Sequence, residues 1–388
     1  METDIASFTA VAHPDVTDRD TIVIGAGPAG LAVGACLTRA GIACVILEQD
    51  NTVGATWRRH YDRLHLHTDK AHSALPFMPF PGHYPRYPSR LQVIDYLEAY
   101  ARTFELEPRF GQQVAAAHRE NGCWRVKTQD ACYHASNLVV ASGCNREPCV
   151  PTWPGQADFR GAVLHASHYR NGQPFNDQAV LVIGFGNSGG EIAIDLHEHG
   201  ARPSLAVRGA VNVIPRELFG IPILAIAIAQ RTLPPRWVDA FNAPILRAVM
   251  GDLARFGLRK PSRGPMQQIQ RDARIPVIDA GTIDLIKRGA IRVCPGVERF
   301  TETGVVFTDG SHADFDAVIL ATGYRPRVNA FLEGASTACD DQGTPSSSGC
   351  KTSVPGLYFC GYHIASTGML REIGREALRI ASAIARVA

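Results

Sequence analysis

The chain of 388 residues carries 39 Lys and Arg against 37 Asp and Glu, a formal net charge of +2 at pH 7. Because so balanced a chain has no excess of cations for a phosphate backbone, nucleic-acid binding is disfavoured. The length is typical of two or three domains. A composition of 45% hydrophobic and 20% charged residues excludes the disordered and fibrous classes of protein.

The first predicted unit is a strand, a glycine turn, a helix and a second strand. Residues 21–24 are an apolar strand, and residues 25–30 are the turn. A helix of small and apolar residues follows over 31–39, and the next buried strand is 43–48. These segments predict one βαβ unit.

The next segments are predicted as surface chain, a helix and a small sheet. Residues 76–88 are rich in proline and are expected to lack regular structure. Ser89 and Gln92 have the spacing of a capping box at the start of a helix. Four alternating or apolar segments then predict a meander and a return to the main sheet: 114–118, 123–128, 132–135 and 138–141.

The opening pattern repeats after a proline-containing linker at 148–155. Strand 179–183 leads into a second glycine turn, 184–190, and a helix that ends near His199, so the chain contains a duplicated fold unit. Residues 216–274 depart from the alternation and are predicted as a helical insertion. The later predicted elements are strands at 291–293, 304–307, 316–323 and 357–360, and a terminal helix from about Ser366.

Cysteines, histidines and apolar runs exclude several other classes. Ten cysteines in a chain of this length do not indicate a disulfide scaffold. None of them form a Cys-x-x-Cys pair, which argues against a zinc site and a dithiol redox centre. The fourteen histidines show no metal-ligand spacing, so we predict no metal. The first twenty residues lack the apolar core of a signal peptide, and the longest apolar run, 221–229, is about half the length that spans a bilayer. We therefore expect a soluble, cytoplasmic protein without a transmembrane segment.

Each glycine turn follows a strand and opens a helix, the context that a dinucleotide-binding Gly-x-Gly-x-x-Gly motif requires. The first unit ends its second strand on Glu48, whose carboxylate suits ribose hydroxyls and repels a 2′-phosphate. The second unit has Arg208 there, whose guanidinium suits a 2′-phosphate. The first site is therefore predicted to bind FAD or NAD, and the second NADPH.

A chain with two such sites is typically a flavoprotein in which a nicotinamide delivers hydride to the flavin. The predicted fold class is α/β with two Rossmann-like domains, the NADPH domain being inserted into a discontinuous FAD domain. The predicted bounds are 1–20 for an N-terminal extension, 21–152 and 318–388 for the FAD domain, and 153–317 for the NADPH domain.

Further stretches resemble a known family. Phe159, Gly161, His165 and Tyr169 match the FxGxxxHxxxY signature of class B flavin-dependent monooxygenases. Longer stretches resemble its plant YUCCA-type branch: 80–89, 94–100, 186–189, 213–220, 251–258, 293–296, 319–324 and 354–358. The resemblance covers roughly residue 21 to the end.

The resemblance implies a reaction and its cofactors. The cofactors are FAD and NADPH, with molecular oxygen and a small organic molecule as substrates. It implies action through a flavin 4a-peroxide on an aryl 2-keto acid such as indole-3-pyruvate, which is converted to indole-3-acetate in auxin biosynthesis. Because the flavin supplies the chemistry, no catalytic side chain is predicted beyond it. Two alternatives stay open: an N- or S-oxygenating monooxygenase, and a non-catalytic flavin redox sensor.

The predicted site residues form three sets. The FAD set is Gly25, Gly27, Pro28, Ala29, Gly30, Glu48, Trp57, Val114, Ala321, Thr322 and Gly361. The NADPH set is Gly184, Gly186, Asn187, Ser188, Gly189, Arg208 and Arg216. A keto acid needs a cation for its carboxylate, and the candidates are Arg59, Arg63 and Lys70. The insertion is expected to pack on the NADPH domain; covering a substrate tunnel and resting on a membrane surface are the alternatives. The sequence predicts no oligomeric state.

Overall fold

The structure is a computed structural model and describes residues 15–334 and 337–386. Its strands are β1 (Asp15–Ile24), β2 (Cys44–Leu47), β3 (Ala116–Glu120), β4 (Cys123–Lys127), β5 (Cys132–Val140), β6 (Glu147–Pro148), β7 (Ala162–His165), β8 (Ala179–Ile183), β9 (Arg202–Ala206), β10 (Val213–Pro215), β11 (Glu217–Leu218), β12 (Ile221–Pro222), β13 (Val277–Asp279), β14 (Arg292–Cys294), β15 (Val297–Phe300), β16 (Gly304–Phe307), β17 (His312–Asp314), β18 (Ala317–Leu320), β19 (Tyr324–Arg325) and β20 (Leu357–Phe359). Its α-helices are α1 (Pro28–Arg39), α2 (Ala55–Arg59), α3 (Arg90–Thr103), α4 (Asn187–Glu198), α5 (Ile223–Ala229), α6 (Pro235–Met250), α7 (Pro265–Asp272), α8 (Thr282–Lys287) and α9 (Met369–Ala385). None of these helices has both the length and the apolar character needed to cross a bilayer.

The first sheet has a parallel core with an antiparallel extension. Its order is β2-β1-β5-β4-β3, and β20 also pairs with β5. β1 pairs in parallel with β2 and β5, whereas β3, β4 and β5 are antiparallel. The segments predicted separately at 132–135 and 138–141 form one continuous strand, β5, because no turn interrupts it. β1 begins at Asp15, so the predicted extension contributes residues 15–20 to the sheet; its first fourteen residues lie outside the described ones.

The second sheet is parallel throughout, with the order β14-β9-β8-β18-β7. It contains β18, which the predicted boundary at residue 318 assigns to the FAD domain. That boundary is wrong, because β18 is hydrogen-bonded to β8 and β7 and pairing in the first sheet resumes only at β20. The predicted fold class, two Rossmann-like domains in one α/β chain, is confirmed.

Apolar helices cover both sheets and fix the position of the turns. α1 packs on α9 and α3, and its residues from Ala29 to Leu37 are buried, as expected for a run of small and apolar side chains. The predicted capping box opens α3: the Gln92 N–H donates to Ser89 Oγ, and the Ser89 N–H donates to Gln92 Oε1. α4 packs on α8 and β13 in the second domain.

The predicted helical insertion begins with the β11–β12 hairpin and continues with α5, α6 and α7. Met250 and Leu258 belong to the apolar core of the second domain, so the insertion packs there as expected. Gln230 and Asn242 join α5 to α6 through two side-chain hydrogen bonds of 3.2 and 2.9 Å. The insertion is therefore a fixed part of the second domain and not a free arm.

Candidate functional site

The first glycine turn, between β1 and α1, is packed against the sheet on one side and open on the other. Gly25 has a φ of +108°, and a Cβ there would lie 2.6 Å from the Ala141 carbonyl oxygen. A Cβ on Gly30 would overlap the Gly25 carbonyl oxygen. Gly27 has φ −80° and ψ −173°, and among residues 15–334 and 337–386 only its chain neighbours have atoms within 4 Å of its Cβ position. The open side at Gly27 is where a ligand can approach the backbone.

The second turn, between β8 and α4, repeats this geometry. Gly184 has a φ of +110°, and its Cβ would lie 2.5 Å from the Ala321 carbonyl oxygen. A Cβ on Gly189 would overlap the Gly184 carbonyl oxygen, whereas a Cβ on Gly186 would meet no described residue within 4 Å other than its chain neighbours. The predicted duplication therefore extends to the backbone conformation of the turns.

Both turns end at a helix N-terminus that offers donors to an anion. Gly27 and Gly186 are the N-caps of α1 and α4, and neither helix has a side-chain cap or an acidic residue in its first turn. The first N–H groups and the helix dipole therefore face the open side of each turn with partial positive charge. The residues present thus fit the pyrophosphate of a dinucleotide at both places.

Glu48 lies beside the first turn, one residue after β2. The Ala26 N–H donates to its Oε2 (2.7 Å), and the Asp50 N–H donates to its Oε1 (3.0 Å). Burial raises the pKa of the Glu48 carboxyl, and these two N–H groups oppose the rise. The carboxylate is therefore held on the cavity wall, where the predicted ribose contact requires it.

Arg208 lies at the corresponding place in the second domain, two residues after β9. Its side chain is exposed and makes no ion pair among the described residues. Arg259 Nη2 donates to the Arg208 carbonyl oxygen (3.2 Å), and the Val211 N–H donates to the Arg259 carbonyl oxygen (2.9 Å). A second exposed guanidinium therefore lies next to Arg208. Sequence spacing does not reveal Arg259, because 51 residues separate it from Arg208.

Arg216, the last member of the predicted NADPH set, lies away from Arg208. Its guanidinium carbon lies 4.2 Å from the centre of the Tyr87 ring. Its carbonyl oxygen accepts a 3.0 Å hydrogen bond from the Ile223 N–H. Arg216 thus stacks on the first domain at the start of the insertion, and Arg259 is the cation that accompanies Arg208.

Ala321 and Thr322 were predicted beside the flavin and lie instead at the second turn. They follow β18, whose end packs against Gly184. Thr322 Oγ1 donates to the Cys149 carbonyl oxygen (2.5 Å). Ala141 takes the equivalent place at the first turn, and Ser142, which follows it, lines the cavity.

A cavity of about 490 Å³ joins the first turn to the insertion. One part of its wall comes from the predicted nucleotide site: Gly25, Gly27, Pro28, Ala29, Glu48, Trp57, Val114 and Gly361. Another part is aliphatic and comes mainly from the insertion: Leu218, Ile223, Leu224, Ile226, Ala227, Leu246, Met266 and Ile269. Residues of the segment 365–370 also line it, and Asn187 reaches it from the second turn. The site therefore combines a polar nucleotide part with an apolar part under α5 and α6.

The predicted residue Gly361 closes the nucleotide part from the C-terminal side. It has a φ of +89°, and a Cβ there would lie 3.1 Å from the Ala29 Cβ. Its N–H donates to Glu376 Oε2 (2.6 Å), and Glu376 is fully buried. Burial raises the pKa of the Glu376 carboxyl. Glu376 on α9 therefore fixes the backbone at Gly361 against α1.

The three predicted substrate cations are all engaged with protein groups. Arg63 forms a bidentate ion pair with Glu198 at 2.9 Å, and Lys70 Nζ donates to loop carbonyl oxygens, including that of Gly82 at 2.7 Å. Neither side chain lines the cavity. Arg59 does line it and pairs with Asp50 at 2.7 Å. The structure therefore contradicts the prediction for Arg63 and Lys70, because their charges are used to join chain segments.

A polar cluster that the sequence analysis missed connects the domains beside the cavity. Glu191 on α4 is buried, with Oε2 accepting from the Tyr61 hydroxyl (3.0 Å) and Oε1 lying 3.1 Å from His67 Nε2. Burial is the main cause of a strongly raised pKa at Tyr61. His67 lines the cavity, so this cluster links its wall directly to the second nucleotide helix. No sequence motif marks it, since Glu191 is more than 120 residues from both Tyr61 and His67.

His60 on the cavity wall gives the protein a predicted pH dependence. Burial and the charges of Arg170, Arg90 and Arg59 lower the pKa of His60 to about 4. In the unfolded chain His60 binds a proton near pH 6.5, so protonation favours the unfolded state below that value. The contribution of the neutral His60 to the free energy of unfolding is therefore fully present above pH 6.5 and is lost as the pH falls towards 4. We expect this one group to remove about 3 kcal/mol of unfolding free energy over that interval.

Urea unfolding of the purified protein at pH 7 and at pH 4.5 measures this effect. The variant His60→Gln is expected to show a shallower loss of stability on acidification, whereas replacing the exposed His312 leaves the pH dependence of the parent. If the parent and His60→Gln lose the same free energy of unfolding between pH 7 and pH 4.5, this role of His60 is excluded.

Comparison with known proteins gives concordant similarities. Residues 22–215 match a family described as pyridine nucleotide-disulphide oxidoreductase. The indole-3-pyruvate monooxygenase YUCCA1 of Oryza sativa subsp. japonica is 46% identical over 319 residues, covering 81% of this chain and 79% of that protein. The probable indole-3-pyruvate monooxygenase YUCCA1 of Arabidopsis thaliana is 40% identical over 373 residues, covering 94% and 89%.

Solved structures have the same architecture. A flavin-containing monooxygenase from Stenotrophomonas maltophilia aligns with a TM-score of 0.73 at 25% identity, covering 96% of this chain and 99% of that one. An oxidised steroid monooxygenase bound to NADP aligns with a TM-score of 0.75 at 21% identity, covering 96% and 86%. The second likeness concerns the fold alone.

Proposed function

The chain belongs to the YUCCA-type flavin-dependent monooxygenases, and from that membership we propose that it oxidatively decarboxylates an aryl 2-keto acid, using FAD, NADPH and molecular oxygen. Indole-3-pyruvate is the first candidate substrate. The observation that carries this choice is the similarity, over most of the chain, to relatives named for that substrate. The aliphatic part of the cavity, which suits an aromatic side chain, supports it.

For FAD, the proposed binding residues are those of the first turn together with Glu48. The pyrophosphate would lie at the open side of Gly27, against the N-terminus of α1. Glu48 would accept hydrogen bonds from the ribose hydroxyls while the Ala26 and Asp50 N–H groups hold it in place. Arg59 lies in the same part of the cavity through its pair with Asp50, so we assign it to the FAD phosphates and not to the substrate.

For NADPH, the proposed residues are the second turn and the pair Arg208 and Arg259. Neither guanidinium makes an ion pair within the part of the chain that the structure describes, so together they offer a 2′-phosphate several charge-assisted hydrogen bonds. A ribose hydroxyl in the same place can form fewer of them. Asn187 contributes to position: its Oδ1 accepts from the Ile278 N–H (2.8 Å) and ties the start of α4 to β13.

Arg208→Ala is expected to raise the KM for NADPH about 10- to 100-fold and to leave the KM for NADH nearly unchanged, since the lost bonds are charge-assisted. Arg259→Ala should act in the same direction with a smaller effect. Steady-state NAD(P)H oxidation measures both constants. The exposed Arg202 begins β9, the strand that ends two residues before Arg208, and Arg202→Ala is the matched control. Equal effects of Arg208→Ala on the two coenzymes would remove its assigned role.

The chain's contribution to the reaction is binding, orientation and exclusion of water. Bound flavin and reduced nicotinamide supply hydride transfer and oxygen activation. The aliphatic residues of α5 and α6 keep the substrate part of the cavity apolar, which protects reactive species from water. The Glu191 carboxylate holds Tyr61 and His67 across the domain boundary, so it fixes the cavity wall relative to the nicotinamide domain.

A substrate panel tests the proposal directly. Purified protein is supplied with NADPH and air, and indole-3-pyruvate, phenylpyruvate, a tertiary amine and a thioether are compared by product analysis. We expect decarboxylated acids from the keto acids and no oxygenated amine or sulfide. Oxygenation of the amine or thioether without keto-acid turnover would favour the heteroatom oxygenase instead. NADPH oxidation that none of the four compounds stimulates would contradict both enzyme functions.

A further inference from the structure

The helical insertion has a large positive charge, although the net charge of the whole chain is close to zero. Residues 216–274 contain ten Lys and Arg against four Asp and Glu, a formal charge of +6, whereas the rest of the chain is at −4. Of the four acids, Asp239 is buried, Glu217 pairs with Arg86, and Asp272 pairs with Arg263. The exposed surface of the insertion is therefore strongly basic.

The same segment exposes large apolar side chains. Phe219 at the tip of the β11–β12 hairpin is 87% exposed, and Trp237 and Phe241 on α6 are 62% and 70% exposed. Ile221 and Leu233 are also at least half exposed. Isolated exposed apolar residues are common, but aromatic residues concentrated on one segment mark an interaction surface.

The two faces of α6 have different surroundings. Asp239, Asn242 and Leu246 line the cavity. Trp237 and Phe241 are one turn apart and, at 100° per residue, lie on the face opposite to Asp239. α6 therefore covers the substrate part of the cavity on its inner face and presents aromatic rings to the outside.

The segment that carries these rings also carries exposed cations. Arg231, Arg236 and Arg247 are exposed and make no ion pair among the described residues. Two copies of a face with this charge would repel each other, which disfavours self-association there. An anionic partner with an apolar layer beneath its charges complements both features, because basic side chains meet its surface while aromatic rings enter the interface.

We propose that the exposed aromatic and basic side chains of the insertion dock the protein on an anionic lipid bilayer surface; these are Phe219, Trp237, Phe241, Arg231, Arg236 and Arg247. Docking would occur through the elements whose inner sides line the apolar part of the cavity. The surface of contact and the walls of the substrate part therefore belong to the same rigid insertion.

Co-sedimentation with vesicles tests this proposal. The flavin-loaded protein is mixed with phosphatidylcholine vesicles with or without 30% phosphatidylglycerol, at low and at high salt. We expect binding to the anionic vesicles at low salt, and at least tenfold weaker binding with neutral vesicles or high salt. Trp237→Ser with Phe241→Ser, and separately Arg236→Glu with Arg247→Glu, should each weaken binding at least tenfold while NADPH oxidation in solution stays unchanged.

The matched control is Leu91→Ser, which changes an exposed apolar residue on α3. It should bind vesicles like the parent. Absence of binding to anionic vesicles, or equal losses in the control and the insertion variants, would overturn the proposal. A dimer in lipid-free solution that dissociates in the Trp237 and Phe241 variant would also overturn it, because the face would then be covered by a second copy.

Discussion

Gly27→Ala is expected to give a folded protein that contains less than about a tenth of the parent's flavin. Gly27 has an extended backbone conformation that any residue adopts, and no described residue apart from its chain neighbours has an atom within 4 Å of its Cβ position. The protein therefore accepts the methyl group, at a cost of about 1 kcal/mol for the changed N-cap. The methyl group would occupy the space in which the pyrophosphate approaches the backbone. Visible absorbance per protein, with far-ultraviolet circular dichroism as the test of folding, measures this result.

Two other glycines make the experiment decisive. Gly82 also has an ordinary backbone conformation and open space but lies in an exposed loop, so Gly82→Ala should retain both fold and flavin. Gly30→Ala should destabilise the fold itself, because its methyl group would overlap the Gly25 carbonyl oxygen. Normal flavin content in Gly27→Ala would contradict the assignment of the first turn.

Gly186→Ala is the corresponding change at the second turn, and its expected effect is different. The variant should keep its flavin, because the first turn is untouched, yet its kcat/KM for NADPH should fall at least a hundredfold. The reason is again that a methyl group would enter open space. Gly186 has φ −109° and ψ −169°, and in the described part of the chain only its chain neighbours come within 4 Å of its Cβ position. Anaerobic flavin reduction by NADPH, followed by stopped-flow absorbance, measures the effect.

Reduction by dithionite provides the control for this second variant, since it bypasses the nicotinamide site and should proceed as in the parent. The pair of variants then separates the two sites: one loses the flavin, and the other loses only its reduction by NADPH. Parent-like reduction of Gly186→Ala by NADPH would show that the second turn does not bind the coenzyme.

The sequence predicted both turns because their requirements are local. A tight turn, a close backbone approach and a helix start all fall within six residues, so Gly25 to Gly30 and Gly184 to Gly189 could be placed correctly. The charge contrast between Glu48 and Arg208 was equally visible, because each follows the second strand of its unit at a fixed distance.

Residues that depend on sheet order were harder to assign. β5 ends in three buried residues and β18 is buried throughout, each strand is followed by an alanine, and nothing in β18 itself says which sheet it joins. Ala321 was therefore placed with the wrong nucleotide turn. The likeness between the segments 139–143 and 319–323 was the available signal, because it makes them equivalent parts of the duplicated unit.

The ligand-binding roles of the arginines could not be predicted where their contacts are distant in sequence. Arg63 meets Glu198 from the other domain, and Arg259 reaches Arg208 across 51 residues. A formal charge says nothing about which guanidinium is neutralised by a neighbour and which is left for a ligand. The apolar wall supplied by the insertion was likewise left open, because apolar stripes suit a core, a tunnel and a surface equally well.

The central claim is that this chain inserts oxygen while it decarboxylates an aryl 2-keto acid, and isotope labelling tests it most directly. Purified protein is supplied with indole-3-pyruvate, NADPH and ¹⁸O₂, with catalase present because hydrogen peroxide decarboxylates 2-keto acids without an enzyme. The proposed reaction transfers one oxygen atom to the product acid and reduces the other to water. Mass spectrometry should therefore find indole-3-acetate carrying one ¹⁸O atom, formed in proportion to the NADPH consumed. NADPH consumption that yields only hydrogen peroxide, with no labelled indole-3-acetate, would contradict the account.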